Sequence, residues 1–396
     1  MWFIFSLLTV VLYTECICNY NEQPSPNVTL PYYLDVDNYK TLLYLGTPLQ
    51  KHTFEIDMEL PFTFTTNIFY QRHEKSLTCT EIMKLPLSNI PNTNHPLIFT
   101  LISDIWCPKN TTSSLSYPIY ILFSESYFGE LDRMSFSYTH LNRNVSLTHA
   151  LYNHNYISTL QFSFIPSSPT NGTILFGADP PNTSKLYIST LHVEQQPSIN
   201  ISTTWSVMVS SSYYGSVVSL EKREAFFQRK SQKIYIPRDV QVVLNETFFL
   251  PKQKEKMCTR YSYFGNNHWE CECSVIGNMS RIGFYIQGYE FAFELDDVIR
   301  RTSYGKCVFL FEENVIDNNT YVFGAPFMNK FISTFNYEHS TITLYSPYKI
   351  PYHIISHPHT KLTAYHILIV IISITLSIGC ISLYISNNLI INNLNK

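Results

Sequence analysis

Apolar and polar residues alternate over short stretches of this chain, and turn-forming residues separate the stretches. The pattern predicts strands at 41–45 and 52–57, joined by a turn at 46–48, where Gly and Pro are the expected residues. It also predicts two strands within 204–220, which meet at a Tyr-Tyr-Gly turn. Tyr (29) and Phe (27) far outnumber Gly (12), and aromatic side chains suit a half-buried pleated surface. We therefore expect an all-β fold.

The longest apolar runs lie near the two ends of the chain. Residues 1–18 have the length and apolar character of a secretory signal peptide but lack a basic start, and a retained N-terminal anchor is the alternative. Residues 364–385 carry no formal charge and are long enough to cross a hydrocarbon core about 30 Å thick, which predicts a transmembrane helix. A Pro- and His-containing stalk is predicted at 349–363, and a short tail at 386–396. This organisation predicts a single-pass type I membrane protein of the secretory pathway.

Composition narrows the function classes. The 396 residues leave room for two domains of about 150 residues each, and 45% of them are apolar, which is enough for a substantial core. A net charge of -3 and the lack of a basic tract give no support for a nucleic-acid partner. Neither a Gly-x-Ser-x-Gly motif nor a Walker-type phosphate loop is present, so we expect no cofactor.

Nine cysteines are distributed unevenly along the chain. Cys16 and Cys18 fall in the predicted signal peptide and Cys380 in the predicted membrane span. Because an oxidising compartment pairs cysteines, the even number that remains predicts disulfides: Cys79, Cys107, Cys258, Cys271, Cys273 and Cys307. Asn-x-Ser/Thr sequons support a lumenal glycoprotein only weakly, since an Asn-rich chain also produces them by chance: Asn27, Asn110, Asn144, Asn171, Asn182, Asn200, Asn245, Asn278 and Asn318.

The segment 45–57 carries a family resemblance. Its Leu-Gly-Thr-Pro-Leu-Gln, followed by Phe-Glu-Ile-Asp, resembles the start of pepsin-like aspartic proteases (peptidase A1), where a strand ends in Asp-Thr-Gly. The resemblance places Asp57 at the first catalytic aspartate. Met58 and Glu59 replace the family's Thr and Gly, so the hydroxyl that ties the two active-site loops is lost and a second negative charge stands beside Asp57.

Further pieces follow in the family's order. The resemblance implies a bilobal fold with a central cleft, an N-terminal lobe at 30–190, a C-terminal lobe at 191–348 and a linker near 194–203. The pieces that carry it are Asn-Gly-Thr-Ile-Leu-Phe-Gly at 171–177, Thr-Trp-Ser-Val-Met-Val at 204–209, Tyr-Val-Phe-Gly-Ala-Pro-Phe at 321–327 and the closing strand pair at 331–344.

The region around 117–138 resembles the family's flap hairpin. We predict two strands around a turn at 124–126, with Phe123 nearest the flap tyrosine, so that the ring is kept and the hydroxyl is lost. A plain surface hairpin is the alternative. The Gly-rich loop that follows in the family is expected at 142–153, which contains no Gly, so this loop is reshaped or deleted.

The second catalytic aspartate is missing. Counting back from the strand that ends in Ile-Pro at 236–237, Gln228, Arg229 and Lys230 occupy the positions of the family's Asp-Ser/Thr-Gly. Aspartic proteases need two carboxylates that share one proton, and an amide has no ionisable group with which to pass it. The resemblance therefore implies a catalytically inactive member that binds a peptide or protein in the cleft. The alternative is an active endopeptidase that uses Asp57 with an atypical partner such as Glu59.

The roles of the charged residues in the cleft stay open at this stage. Asp57 is either an ion-paired structural carboxylate or a surviving ligand contact. Arg229 and Lys230 form either a solvated pair or a site for an acidic partner, and a side chain turned inward would pair with Asp57 or Glu59. The family's second-lobe disulfide implies that Cys273 pairs with Cys307, which leaves Cys258 with Cys271 and a candidate bridge between Cys79 and Cys107. A zinc site at 268–273 is not expected, because the ligand spacing is wrong.

Overall fold

The computed structural model describes twelve stretches of the chain: 28–35, 38–45, 50–59, 63–66, 80–87, 97–107, 117–124, 132–138, 146–194, 204–263, 266–276 and 279–352. The predicted signal peptide (1–18), the membrane span (364–385) and most of the linker lie outside these stretches. No helix within them is both long and apolar enough to cross a membrane.

Strands dominate the structure, so the all-β prediction is confirmed. The strands of the first half are β1 (Val28–Asp35), β2 (Asn38–Leu45), β3 (Gln50–Asp57), β4 (Phe64–Thr66), β5 (Thr80–Leu87), β6 (Leu97–Cys107), β7 (Tyr117–Ser124), β8 (Asp132–Ser135), β9 (Gln161–Pro166), β10 (Asn171–Phe176) and β11 (Tyr187–His192). Those of the second half are β12 (Ser206–Tyr214), β13 (Val217–Ser219), β14 (Arg223–Phe227), β15 (Ile234–Ile236), β16 (Cys258–Tyr263), β17 (Asn266–Glu272), β18 (Ile282–Ile286), β19 (Tyr289–Phe293), β20 (Ile299–Arg301), β21 (Lys306–Phe309), β22 (Phe311–Glu313), β23 (Tyr321–Phe323), β24 (Ile332–Asn336) and β25 (Thr341–Ser346).

Helices are short within the described stretches. They are α1 (Leu147–Asn153), α2 (Arg238–Leu244), α3 (Leu250–Lys254), α4 (Cys273–Ile276) and α5 (Ala325–Lys330), and a π-helical turn at Asn245–Phe249 joins α2 to α3. Ser146 caps α1, because its hydroxyl accepts a hydrogen bond from the backbone N–H of His149. This helix occupies the region where the sequence predicted a reshaped or deleted loop.

The first sheet contains strands from both halves of the chain. Its order is β11-β25-β24-β9-β10-β1-β2-β3-β8-β4-β7-β6-β5. The predicted hairpin is confirmed, since β2 and β3 pair antiparallel from Lys40 opposite Glu55 to Leu45 opposite Gln50. Side chains of β2 alternate between buried and half-buried, which is the period-two pattern of a strand with one face on a core.

Two smaller sheets belong to the second half. One has the order β19-β18-β12-β14-β23-β15-β22, with β13 paired to β12 in the predicted antiparallel arrangement. The other has the order β16-β17-β21-β20. Disulfides join Cys258 to Cys271 and Cys273 to Cys307, as the resemblance implied. Both cysteines of the segment 268–273, Cys271 and Cys273, are thereby oxidised. Cys79 and the side chain of Cys107 lie outside the described part of the structure.

A cluster of aromatic side chains connects the two halves. Trp205 is fully buried, its ring packs against Phe162 and Phe335, and its indole N–H donates to the backbone oxygen of Phe136 at 2.8 Å. Tyr337 lies 4.9 Å from the same indole, measured between ring centroids. Burial of each large ring contributes on the order of 2 kcal/mol, so this cluster holds β9, β12 and β24 on one core.

Candidate functional site

Two strand units with the same connectivity position the site. In the first, β3 runs parallel to β8 and β4 pairs antiparallel with β8. In the second, β14 runs parallel to β23 and β15 pairs antiparallel with β23. Asp57 is the last residue of β3, and Gln228 directly follows β14. The two units therefore present residues 57–59, here called the Asp57 segment, and residues 228–233, here called the Gln228 segment, at equivalent ends.

Close backbone contacts fix both segments. The Phe136 N–H donates to the backbone oxygen of Asp57 at 2.7 Å, and the Gln228 N–H donates to that of Phe323 at 3.1 Å. Gly324 follows β23, and a Cβ atom placed on it would lie 2.1 Å from the Lys233 oxygen and 2.6 Å from the Ser231 oxygen. Only a glycine allows this approach, so the Gln228 segment depends on Gly324 for its position.

Asp57 is fully buried and accepts hydrogen bonds from three of the described residues, Glu59, Lys230 and Arg133. Its Oδ1 accepts from the backbone N–H of Glu59 at 2.8 Å. Its Oδ2 accepts from Lys230 Nζ at 3.2 Å and from Arg133 Nη1 at 3.3 Å. Two cationic side chains therefore contact the same carboxylate oxygen. The ion pairing expected for an inward-turned Lys230 is thus observed, and Arg133 adds a second cation.

Glu59 and Lys230 form an ion pair between the two segments. Lys230 Nζ lies 2.8 Å from Glu59 Oε2, and the side-chain amide of Gln228 donates to Glu59 Oε1. Burial alone would lower the pKa of Lys230, but the charges of Asp57 and Glu59 and the hydrogen bonds to them raise it above its usual value. Because the charge of Glu59 meets an ammonium group, the segments stay tied although the family's Thr hydroxyl is absent.

Glu55 lies on the same strand as Asp57, β3, but its buried carboxyl group is paired less closely with a cation. Its side chain is 4% exposed, and the nearest cationic atom, Arg133 Nε, lies 3.8 Å from its Oε2. Glu55 Oε2 accepts no hydrogen bond from the described residues. Burial raises the pKa of Glu55, the charge of Arg133 lowers it, and the charge of Asp57 raises it further, so the net shift is upward. Burial of the charged form is only partly compensated here.

Arg229 points away from Lys230 and into an aromatic cage. The side chain is fully buried, and its guanidinium carbon lies 4.3 Å from the ring centroid of Tyr39 and 4.7 Å from that of Tyr32. Its Nη2 donates to the Tyr32 hydroxyl at 2.9 Å and to Asn329 Oδ1 at 2.6 Å. Burial lowers the pKa of Arg229, whereas Tyr32 and Tyr39 act in the opposite direction. The expectation of a solvated Arg229 is therefore wrong, because cation–π contacts and two acceptors replace water.

The predicted flap is not a hairpin. In the described strands β7 pairs antiparallel with β6 and parallel with β4, whereas β8 pairs with β3 and β4. Phe123 is flanked in the sheet by Thr100 and Thr65, so it lies in a strand that has a neighbour on each side. Its side chain is outside what the structure describes, and its role as a cleft residue stays a prediction. The strands were predicted correctly, but β7 pairs with the preceding strand β6 and with β4, and β8 pairs with β3 and β4, so the two strands are not partners of each other.

An open cavity of about 430 Å³ adjoins the Gln228 segment. Its lining includes Lys230, Lys233, His268 and Arg300, together with neutral residues of β2, β15 and β21. No carboxylate is among the described lining residues. The cavity therefore continues the site as a basic recess.

Sequence reasoning missed several of these residues. Arg133 and Glu55 were not singled out, because their relation to Asp57 depends on the parallel register of β3 and β8, which sets Glu55 opposite Arg133. In the sequence, only the charged pair Asp132-Arg133 hinted that this strand carries residues of the site. Tyr32, Tyr39 and Asn329 carried no signal, since they come together only around a buried Arg229.

Chemically, the site brings the carboxylates of Asp57 and Glu59 to one ammonium group and has an amide, not a carboxylate, at position 228. Gln228 donates an amide hydrogen bond to Glu59, and Lys230 and Arg133 both donate to Asp57 Oδ2. Within the described residues, no group of three or more His, Cys, Asp or Glu side chains is arranged to hold a metal ion.

Comparisons with known proteins identify similar sequences and similar folds. A family model described as "Eukaryotic aspartyl protease" matches residues 129–346, which is more than half of the chain. The crystal structure of an aspartic proteinase from Irpex lacteus superposes with a TM-score of 0.62 at 14% identity, covering 84% of this chain and 99% of that one. At this identity the likeness concerns the fold alone, which is mostly β-sheet and consistent with the expected bilobal arrangement. No curated protein matches the chain.

Proposed function

Because the chain belongs to the eukaryotic aspartyl protease family, we propose that it is a catalytically inactive member that binds a peptide or protein segment in the cleft between its lobes. The observation that carries this proposal is the state of Asp57. Its Oδ2 accepts hydrogen bonds from Lys230 and Arg133, and the resemblance assigns the amide of Gln228, which donates to Glu59, to the position of the second aspartate.

Hydrolysis in this family depends on a carboxylate that takes a proton from water while a second carboxyl group gives one to the scissile carbonyl. Gln228 has no proton to give at accessible pH. Lys230 occupies one side of Asp57, where it competes with a water for the carboxylate oxygen. The recess beside the Gln228 segment suits the binding of an extended peptide segment. In such binding, main-chain hydrogen bonds to a strand supply affinity, and pockets for side chains supply specificity.

The alternative is an active endopeptidase in which Asp57 works with Glu59. One observation favours it: a single ammonium group, Lys230 Nζ, contacts both carboxylates. In this arrangement an ammonium group, and not a shared proton, bridges the two carboxylates. We therefore rank this alternative second.

A cleavage assay separates the two functions. The full chain, purified in detergent, is incubated with a peptide library from acidic to neutral pH, next to the Asp57→Ala variant. We expect no cleavage specific to the parent protein and no binding of a statyl-type transition-state mimic. Cleavage that disappears in Asp57→Ala, together with binding of the mimic, would establish the endopeptidase and refute the proposal.

We also propose that the protein is anchored in a membrane of the secretory pathway by residues 364–385, with its lobes on the lumenal or extracellular side. The two disulfides and the apolar ends support this placement. Among the sequons, Asn171, Asn182 and Asn318 are exposed, whereas Asn245 Oδ1 accepts a hydrogen bond from the Trp269 indole N–H at 2.9 Å. Glycosidase treatment of protein from sealed microsomes should shift its mass, and an unshifted, protease-accessible chain would contradict this topology.

A further inference from the structure

The recess beside the Gln228 segment has the size of a ligand site. Its volume of about 430 Å³ falls within the range of roughly 300–1,000 Å³ that is typical of such sites. Lys230 lies at its border with Asp57, while Lys233, His268 and Arg300 line it farther on. The recess thus extends from the candidate active site along β15, β20 and β21.

The charges on these side chains are not equally compensated. Lys230 is paired with Asp57 and Glu59, and Lys233 is paired with Glu312, whose side chain is 6% exposed. Arg300 is exposed and donates from Nη1 to the neutral amide oxygen of Gln232 at 2.7 Å. No carboxylate of the described residues lies within ion-pair distance of Arg300. Its guanidinium is therefore the cation available to a ligand.

His268 reports the same positive environment. Burial lowers the pKa of this half-buried imidazole, and the charges of Lys233 and Arg300 lower it further, against the opposing effect of Glu312 and Glu270. Its ring stacks on Tyr261 with 5.6 Å between centroids. A neutral imidazole at this place leaves Arg300 as the strongest anchor for an anion and offers an additional hydrogen-bonding group.

We propose that this recess binds an acidic side chain, Asp or Glu, of the peptide that occupies the cleft, with Arg300 as the main contact. This inference rests on the proposed peptide-binding function and adds the chemical class of the ligand. A planar guanidinium presents parallel N–H groups that match a carboxylate, and charge-assisted hydrogen bonds of this kind are stronger than neutral ones. Lys233 contributes a longer-range positive potential.

The test uses two pools of fluorescent peptides that are randomised identically except at one fixed position, which is Glu in one pool and Gln in the other. Binding to the full chain in detergent is followed by fluorescence anisotropy at low and high salt. We expect the Glu pool to bind about tenfold more tightly than the Gln pool, and this difference to shrink as salt screens the contact.

Arg300 and its neighbour Arg301 allow a test variant and a matched control. Arg300→Gln should abolish the preference for the Glu pool, and Arg300→Lys should restore part of it. Arg301→Gln is the control, because Arg301 is the next residue of β20, is 73% exposed at its side chain and is absent from the lining of the recess. Unchanged unfolding midpoints of all three variants would show that the fold is intact.

Each outcome has a distinct meaning. Equal binding of the two pools would overturn the acidic-ligand inference and leave the peptide-binding function standing. Binding of neither pool would refute both. If Arg301→Gln lowered the preference as much as Arg300→Gln does, the effect would come from overall surface charge, and the assignment to the recess would be wrong. Free acetate or phosphate should displace the Glu pool more effectively than the Gln pool. If these anions displaced both pools equally well, the acidic-ligand inference would also be overturned.

Discussion

Three pairs of positions distinguish the site at the scale of single residues. Where the resemblance expects two glycines, the chain has Glu59 and Lys230, and these two side chains form an ion pair with each other. Where it expects two small hydroxyl residues, it has Met58 and Arg229, both fully buried. Where it expects two aspartates, it has Asp57 and Gln228. The replacements are compatible in charge and volume, so the site is a repacked structure with its own network of contacts.

Lys230 contacts both acidic side chains of this network, Asp57 and Glu59, so its removal should lower the stability of the fold. Lys230→Met leaves the buried Asp57 carboxylate with Arg133 as its cation and leaves Glu59 with the Gln228 amide. Because Lys230 is 24% exposed and Arg133 remains, we expect a loss of about 2 kcal/mol in the free energy of unfolding. Urea denaturation measures it. Lys252→Met, which breaks an exposed pair with Glu255, is the control and should cost less than about 0.5 kcal/mol.

Glu55 predicts a pH dependence of stability. Burial is the main cause that raises the pKa of Glu55 in the folded protein above its ordinary value of 4.5. At a pH between 4.5 and this raised pKa, the folded state therefore binds more protons than the unfolded state. Stability contributed by this group therefore falls as pH rises through that window. Glu55→Gln should stabilise the protein at neutral pH, and this gain should disappear well below pH 4.5, where the side chain is protonated in both states.

Thermal unfolding at several pH values tests the Glu55 prediction, with Glu338→Gln, at an exposed position, as the control. A destabilising effect of Glu55→Gln at neutral pH would show that the ion pair with Arg133 outweighs the cost of burial.

At the scale of elements, the pairing of the strands decides where the site forms. Alternating polarity located β2, β3, β12 and β13 correctly, and it also located the strand of Phe123. The pairing of β8 with β3 was not accessible in this way, because a parallel ladder joins segments that are far apart in sequence and leaves no local turn signal. The hairpin assigned to β7 and β8 failed for this reason.

Gly324 is the element-scale position whose replacement should be most harmful. Gly324→Ala brings a methyl group to 2.1 Å from the Lys233 oxygen, so either β23 or the Gln228 segment has to move. We expect a loss of about 3 kcal/mol or more in unfolding free energy, together with loss of peptide binding. Gly305→Ala is the control: no atom lies within 4 Å of the added carbon, and only its φ of +85° is unfavourable, at about 1 kcal/mol. Equal effects of the two substitutions would contradict the close contact at Gly324.

At the scale of the whole molecule, strands of both halves share one sheet and one core. β9 of the first half pairs with β24 of the second, with Phe162 opposite Phe335. Trp205 packs against both rings and hydrogen-bonds to Phe136. The two segments of the candidate site therefore rest on a common support, and we expect the halves to unfold together.

Hydrogen exchange with mass spectrometry tests this coupling. Trp205→Ala should reduce the protection of both β9 and β12 by a similar free energy of about 4 kcal/mol, since the cavity it leaves borders both halves. Val218→Ala, at a position that is 49% exposed, is the control and should change neither. A loss of protection confined to β12 would show that the halves open independently.

The sequence by itself predicted the β-rich class and the hairpin before Asp57, and its resemblance to a known family implied the two disulfide pairs and the assignment of Gln228 to the position of the second aspartate. These features depend on local alternation, on residue chemistry and on the order of motifs, all of which are present in the chain before it folds. Only the tertiary structure decided that Lys230 turns towards Asp57 while Arg229 turns into a cage of aromatic rings, and that Arg133 reaches Asp57 across a parallel ladder. The direction of a long side chain depends on which distant strands supply its counter-charges and rings, and that information arises from packing.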